Sequence, residues 1–141
     1  TNPTKIMSTV QTIYLGDLRT EMTHVRSGNS VVTDAPVDNN GKGEFFSPTD
    51  IVAGALGSCM LTLMDMAAKR MDVDLSGTRL EITKVMATDP RRIGEIIIDF
   101  HLPADYDTKT KTILERAADT CPVAKSLHPE LKQTITYHYK K

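Results

Sequence analysis

Ser47-Pro48-Thr49-Asp50-Ile51-Val52-Ala53-Gly54-Ala55-Leu56-Gly57-Ser58-Cys59 reads as the start of a long buried helix. Ser47 suits the N-cap, and Pro48 suits the first helical position, where its missing N–H costs nothing. Asp50 stands three residues beyond the cap, facing the positive end of the helix dipole. From Ile51 to Met64 no residue is charged. Ile51, Val52, Ala55, Leu56, Cys59, Met60, Leu63, Met64 and Ala67 surround most of the cylinder, a pattern that predicts burial on nearly every side. Gly54, Gly57 and Ser58 are poor helix formers that make sense where another backbone approaches closely. Asp65, Lys69 and Arg70 mark the emergence into solvent.

Upstream of this helix the chain reads as strands. Ile6 to Leu15 alternates, Gly16-Asp17 marks a turn, Leu18 to Val25 alternates again, and Ser27-Gly28-Asn29 precedes Val31 to Thr33. Residues 34–46 form a loop. Downstream, one strand carries Leu80, Ile82 and Met86 on one face and ends at Asp89-Pro90. The next carries Ile96, Ile98, Phe100 and Leu102 and ends at Pro103. Residues 107–119 suit a helix with Ile113, Leu114, Ala117 and Ala118 inward. A short helix from Cys121-Pro122 to about Leu127 follows, and Thr134 to Tyr139 closes as a strand. No linker or repeat divides the sequence, so residues 1–141 are expected to form one α+β domain with helices against antiparallel sheet.

The 141 residues carry 17 Lys and Arg against 18 Asp and Glu, a formal net charge of −1. Such a balance, with no basic stripe, leaves no electrostatic footprint for nucleic acid. A chain of this size can bury a sufficient core without a disulfide staple. No signal-peptide pattern opens the sequence and no uncharged run is long enough to span a bilayer, so no membrane role and a cytoplasmic location are expected. In that reducing compartment, two distant cysteines are free thiols, metal ligands or redox groups sooner than a permanent bridge.

The cysteines are Cys59 and Cys121, 62 residues apart. Inside an apolar helix, Cys59 reads either as a small hydrophobe or as a nucleophile whose thiolate needs a cation from another segment. Cys121, at a helix start directly before Pro122, faces unpaired backbone N–H groups, which lower a thiol pKa; the alternative is a neutral cap. The two form a redox pair only if folding brings their Cα atoms within roughly 7 Å. Other chemistries find little support. His24, His101, His128 and His138 have no zinc-type spacing, and there is no phosphate-binding loop or nucleophile elbow. A Cys–His hydrolase would need a histidine folded onto Cys59, whereas His101 and His138 suit surface or half-buried strand positions. Met7, Met22, Met60, Met64 and Met66 suit core filling.

Ser47 to Cys59, followed by Cys121-Pro122-Val123-Ala124-Lys125-Ser126, resembles the OsmC/Ohr family of bacterial thiol-dependent peroxidases. The family motif is an Asn/Ser-Pro helix start, an aliphatic and small run, and a cysteine eleven residues after the proline, as Cys59 follows Pro48. A Cys-Pro step lies near the chain's end in both. The resemblance covers essentially the whole chain in element order. It implies an intertwined homodimer of OsmC-like fold, with a curved antiparallel sheet packed on a long central helix. It further implies a peroxiredoxin-like hydroperoxide reductase serving oxidative-stress defence. Cys59 would attack an organic or inorganic hydroperoxide and become a sulfenic acid, which Cys121 would resolve as a disulfide. No bound cofactor is implied. An external dithiol, either a small molecule or a lipoylated protein, would reduce the pair.

Two departures stand out. Family members carry a glutamate directly after the helix-start proline, paired with an arginine that activates the sulfur. Here Thr49 occupies that place and the acid comes one residue later, at Asp50, turned by about 100° around the helix. Asp50 therefore reads either as that acid displaced or as a capping-box residue. Residues 35–46 contain no arginine, which rules out the position used by one branch of the family; the resemblance then implies Arg19, near where the other branch carries its arginine, with Arg26 as the weaker alternative and a solvated strand arginine as the plain reading. With the glutamate missing, a non-peroxidatic small-molecule binding protein or a redox sensor on the same scaffold stands as the alternative to the peroxidase.

Overall fold

The computed structural model describes residues 7–141, so the strand start expected at Ile6 lies outside them. The chain forms two compact units, one through Ile51 and one from Val52 to Lys141.

The first unit is an antiparallel meander of β1 (Val10–Gly16), β2 (Arg19–His24) and β3 (Ser30–Asp34). Gly16 pairs with Arg19 across a two-residue turn in which Asp17 and Leu18 both have positive φ, 54° and 62°. That primed turn matches the right-handed twist of the strands it joins, although leucine rarely adopts it. The loop after β3 contains one short 3-10 turn, Val37–Asn39. Gly41 follows it where a Cβ would overlap the Ala35 carbonyl, so only glycine fits. Val10, Ile13, Tyr14 and Leu15 are all exposed, so the alternation along β1 does not correspond to a buried face here.

The unit ends in the expected helix start. Asp50 donates its backbone N–H to Ser47 Oγ (3.1 Å), and the Ser47 N–H donates back to Asp50 Oδ2 (2.9 Å). This reciprocal capping box opens α1 (Pro48–Arg70).

In the second unit, β4 (Arg79–Ala87) pairs antiparallel with β5 (Arg92–Leu102), and β5 pairs parallel with β6 (Lys132–Tyr139). The sheet is therefore mixed rather than antiparallel. Between β5 and β6 the chain passes through α2 (Thr108–Asp119) and α3 (Pro122–Ser126), and that helical crossover returns β6 in the direction of β5. The core joins Ile96, Ile98, Phe100 and Leu102 of β5 to Leu56, Met60, Met64 and Ala68 of α1 and to Leu114 and Ala118 of α2. Ile113 of α2 is exposed and Ala117 half-buried, against the inward placing expected for both.

Helix α1 is long and apolar enough to cross a bilayer by length and composition. Seven of its residues, from Ala53 to Ala68, are instead buried in the protein. The burial is one-sided, contrary to the all-round burial expected. Val52, Ala55 and Leu63 are only half-buried, and Ser58, Thr62 and Met66 are exposed. Of the small residues, Gly57 marks a close approach: a Cβ there would run into Ile82 Cδ1 and lie 3.1 Å from Leu80 Cδ2. Nothing lies within 4 Å of a Cβ built at Gly54.

Candidate thiol site

The second unit brings the two cysteines together. Cys59 projects from the fourth turn of α1 and is half-buried, whereas Cys121 is the N-cap of α3 and is 0% exposed. Both thiols are free, and Cys59 lies close enough to hydrogen-bond with Cys121. The Cys121 Sγ accepts the Ala124 N–H at 3.4 Å and lies 4.0 Å from the carbonyl oxygen of Leu56, one turn before Cys59.

Electrostatics at Cys121 run opposite to the sequence expectation. The backbone donors at the helix start are present and lower its pKa, as anticipated. Burial of the sulfur acts more strongly, and with the adjacent Cys59 thiol it raises the pKa above the usual thiol value. The cost of desolvating a fully buried sulfur outweighs the backbone donors of this short helix start.

The candidate cation belongs to the first unit. Arg19 donates through Nε to Asp34 Oδ1 (2.7 Å) and through Nη2 to Asp34 Oδ2 (2.9 Å), a bidentate pair. The same Nη2 reaches Glu44 Oε1 at 3.1 Å, and the guanidinium lies 4.7 Å from the centre of the Phe45 ring. Its hydrogen bonds to Asp34 hold Arg19 firmly in the cationic form. Asp34 is 1% exposed and also accepts the backbone N–H groups of Glu44 (3.0 Å) and Phe45. Arg26 is exposed beyond β2. Asp50 serves the capping box described above, and Thr49 Oγ1 joins that cap 3.1 Å from Ser47 Oγ.

Asp34, Glu44 and Phe45 were not singled out from the sequence. Asp34 faces Arg19 directly in the β2–β3 register, an opposite-charge cross-strand pair that an assigned register would have revealed. The Arg19 hydrogen bond, foremost, depresses the Asp34 pKa below its ordinary value of 3.8. The stability this contributes is complete above that value and is lost as pH falls through the lower native one. Asp34→Asn is therefore expected to lower stability at neutral pH and to flatten its decline at the acid end. Urea unfolding of both proteins from pH 7 down to pH 2 checks this, and an unchanged acid limb would refute it.

Among the described residues, no group of three or more His, Cys, Asp or Glu side chains could hold a metal ion. His101 and His138 stack on each other across β5 and β6 at 4.9 Å, and His138 Nε2 lies 2.9 Å from Asp99 Oδ1.

A family model described as OsmC-like protein matches residues 41–136. None of the curated proteins matches this chain. Among solved structures, a Psychrobacter arcticus protein provisionally described as an osmotic stress induced and detoxification response protein is 50% identical. The alignment covers 95% of this chain and 98% of that one, with a TM-score of 0.91. An OsmC-like protein from Mycoplasma pneumoniae is 16% identical over 99% of this chain and 100% of its own, with a TM-score of 0.77. The organic hydroperoxide resistance protein OsmC from Legionella pneumophila is 12% identical over 94% and 98%, with a TM-score of 0.73. At such low identity these last two show likeness of fold alone.

Proposed function

The chain belongs to the OsmC-like protein family, and from that premise we propose that it is a thiol-dependent peroxidase acting on organic or inorganic hydroperoxides in oxidative-stress defence. The observation that carries this reading is the neighbouring pair of free thiols, one half-exposed and one fully buried. The Cys59 thiolate attacks the terminal peroxide oxygen, the O–O bond breaks, and the alkoxide of an organic hydroperoxide, or the hydroxide of hydrogen peroxide, takes a proton and leaves as an alcohol or water. Cys59 is then a sulfenic acid. Cys121 attacks its sulfur, water leaves, and a Cys59–Cys121 disulfide remains. An external dithiol restores both thiols.

Arg19 is assigned as the activating cation from its place in the sequence, with Asp34 and Glu44 as its acids. Asp50, engaged in the capping box, is assigned to opening the helix. A homodimer is part of the reading. It is supported by the exposed Val10, Ile13, Tyr14 and Leu15 of β1, apolar surface of the kind that marks association. The protein would work in the cytoplasm, where its thiols start reduced.

The test mixes reduced protein with cumene hydroperoxide or hydrogen peroxide and follows free thiols over time. Rapid loss of both thiols of each chain, ending in an intramolecular disulfide, is expected. Loss no faster than that of free cysteine would sink the peroxidase. Thr49, standing where family members carry glutamate, supports the second reading, a small-molecule binding protein or redox sensor. That outcome would select the small-molecule binding protein.

A further inference from the structure

We infer that the reducing dithiol attacks the sulfur of Cys59 and expels Cys121, so that the reductant is transiently bonded to Cys59 alone. The inference rests on the disulfide of the proposed cycle and fixes the direction of its reduction.

Thiol–disulfide exchange is an in-line displacement at sulfur. The incoming thiolate must approach on the side opposite the sulfur that leaves, so access decides which sulfur is attacked. Approach to Cys121 has to come from the side away from Cys59. Cys121 has no exposed surface, its Sγ accepts the Ala124 N–H at 3.4 Å, and it belongs to the buried core cluster. Cys59 is half-buried, between Ser58, which is exposed, and the core residue Met60. The exposed Thr62 and half-buried Leu63 lie one turn further along α1, so Cys59 sits on the helix's uncharged, partly open side.

Leaving-group chemistry pulls the other way. Burial raises the Cys121 pKa, and a thiol of higher pKa leaves more slowly. Access outweighs this, because a slow leaving group only reduces a rate, whereas a sulfur with no open approach offers no trajectory.

The step balances as follows. A reductant thiolate bonds to Cys59 Sγ, and the Cys59–Cys121 bond breaks with its electron pair on Cys121. The Ala124 N–H meets that charge, and a proton then restores the Cys121 thiol. The second reductant thiol, deprotonated, attacks the reductant's own first sulfur. Cys59 departs as a thiolate, and the oxidised reductant leaves as a cyclic disulfide.

The test begins from the wild-type disulfide formed with diamide, which requires no peroxide. A protein slow toward peroxides would fail as a peroxidase yet still answer this question. The monothiol cysteamine is added, exchange is stopped with acid, free thiols are blocked with N-ethylmaleimide, and the adduct is located by mass spectrometry. Adduct at Cys59 is expected in about tenfold or greater excess. Because Cys121 can reverse that adduct, a second sample is cleaved irreversibly with cyanide, which leaves a thiocyanate on the attacked cysteine. Alkaline treatment then cuts the chain before the modified residue. Fragment 1–58 is expected, whereas fragment 1–120, equal amounts of both, or failure to form the disulfide would overturn the inference.

Discussion

Replacing Cys59 with serine is expected to stop peroxide-driven thiol loss altogether, leaving the slow background oxidation of Cys121. A hydroxyl of similar size preserves the packing of a half-buried helix position, but it is not ionised at neutral pH and is a poor nucleophile toward peroxide oxygen. Removal of a nucleophile on which every later step depends costs on the order of a thousandfold in rate or more. Cys121→Ser should behave differently. Its Cys59 would still react once, losing a single thiol, but no disulfide would form and excess peroxide would carry the sulfenic acid on to sulfinic acid. Stopped-flow peroxide consumption and mass spectrometry of both variants separate these outcomes. If Cys59→Ser retained the wild-type rate while Cys121→Ser lost it, the assigned roles would be reversed, and the burial of Cys121 would no longer explain them.

The largest loss of stability is expected from Phe100→Ala. Phe100 is 0% exposed at the middle of the second sheet, paired with Leu80 on one side and Tyr137 on the other, and its ring centre is 4.8 Å from that of Tyr137. Truncation removes a large buried apolar group and leaves a cavity in the core that joins β5 to α1, at a cost of about 3–5 kcal/mol. Domains of this size are stable by only about 5–15 kcal/mol, so the variant should unfold at much lower urea concentration or fail to accumulate folded. Urea denaturation followed by far-ultraviolet circular dichroism measures the change. A loss below about 1 kcal/mol would show that the surrounding side chains collapse into the space and that Phe100 is not central to the core.

Legibility followed the range of the interactions. The helix start at Ser47 to Asp50 could be read because every group in its capping box lies within four residues. The inward face of β5 was equally plain, since Ile96, Ile98, Phe100 and Leu102 repeat every second residue and all four are buried. Periodicity was a poorer guide on α1 and β1. An uncharged run states what a segment can bury, while the amount buried depends on what packs against it. The direction of β6 went unread for a related reason, because an alternating strand looks the same whether its neighbour runs parallel or antiparallel, and the crossover through α2 and α3 decides between them.

By itself the sequence determined that this is an α+β chain of the OsmC-like family, where its long helix begins, and that Cys59 and Cys121 are the residues to watch. These follow from local capping, from periodicity and from a motif of fixed spacing, none of which needs distant contacts. Only the tertiary structure decided that the two thiols are neighbours, that Cys121 is buried enough to overcome the favourable backbone donors at its helix start, and that Arg19 is held by Asp34, Glu44 and Phe45. Solvation and proximity belong to the folded chain, because residues 62 positions apart share an environment only once the core closes around them.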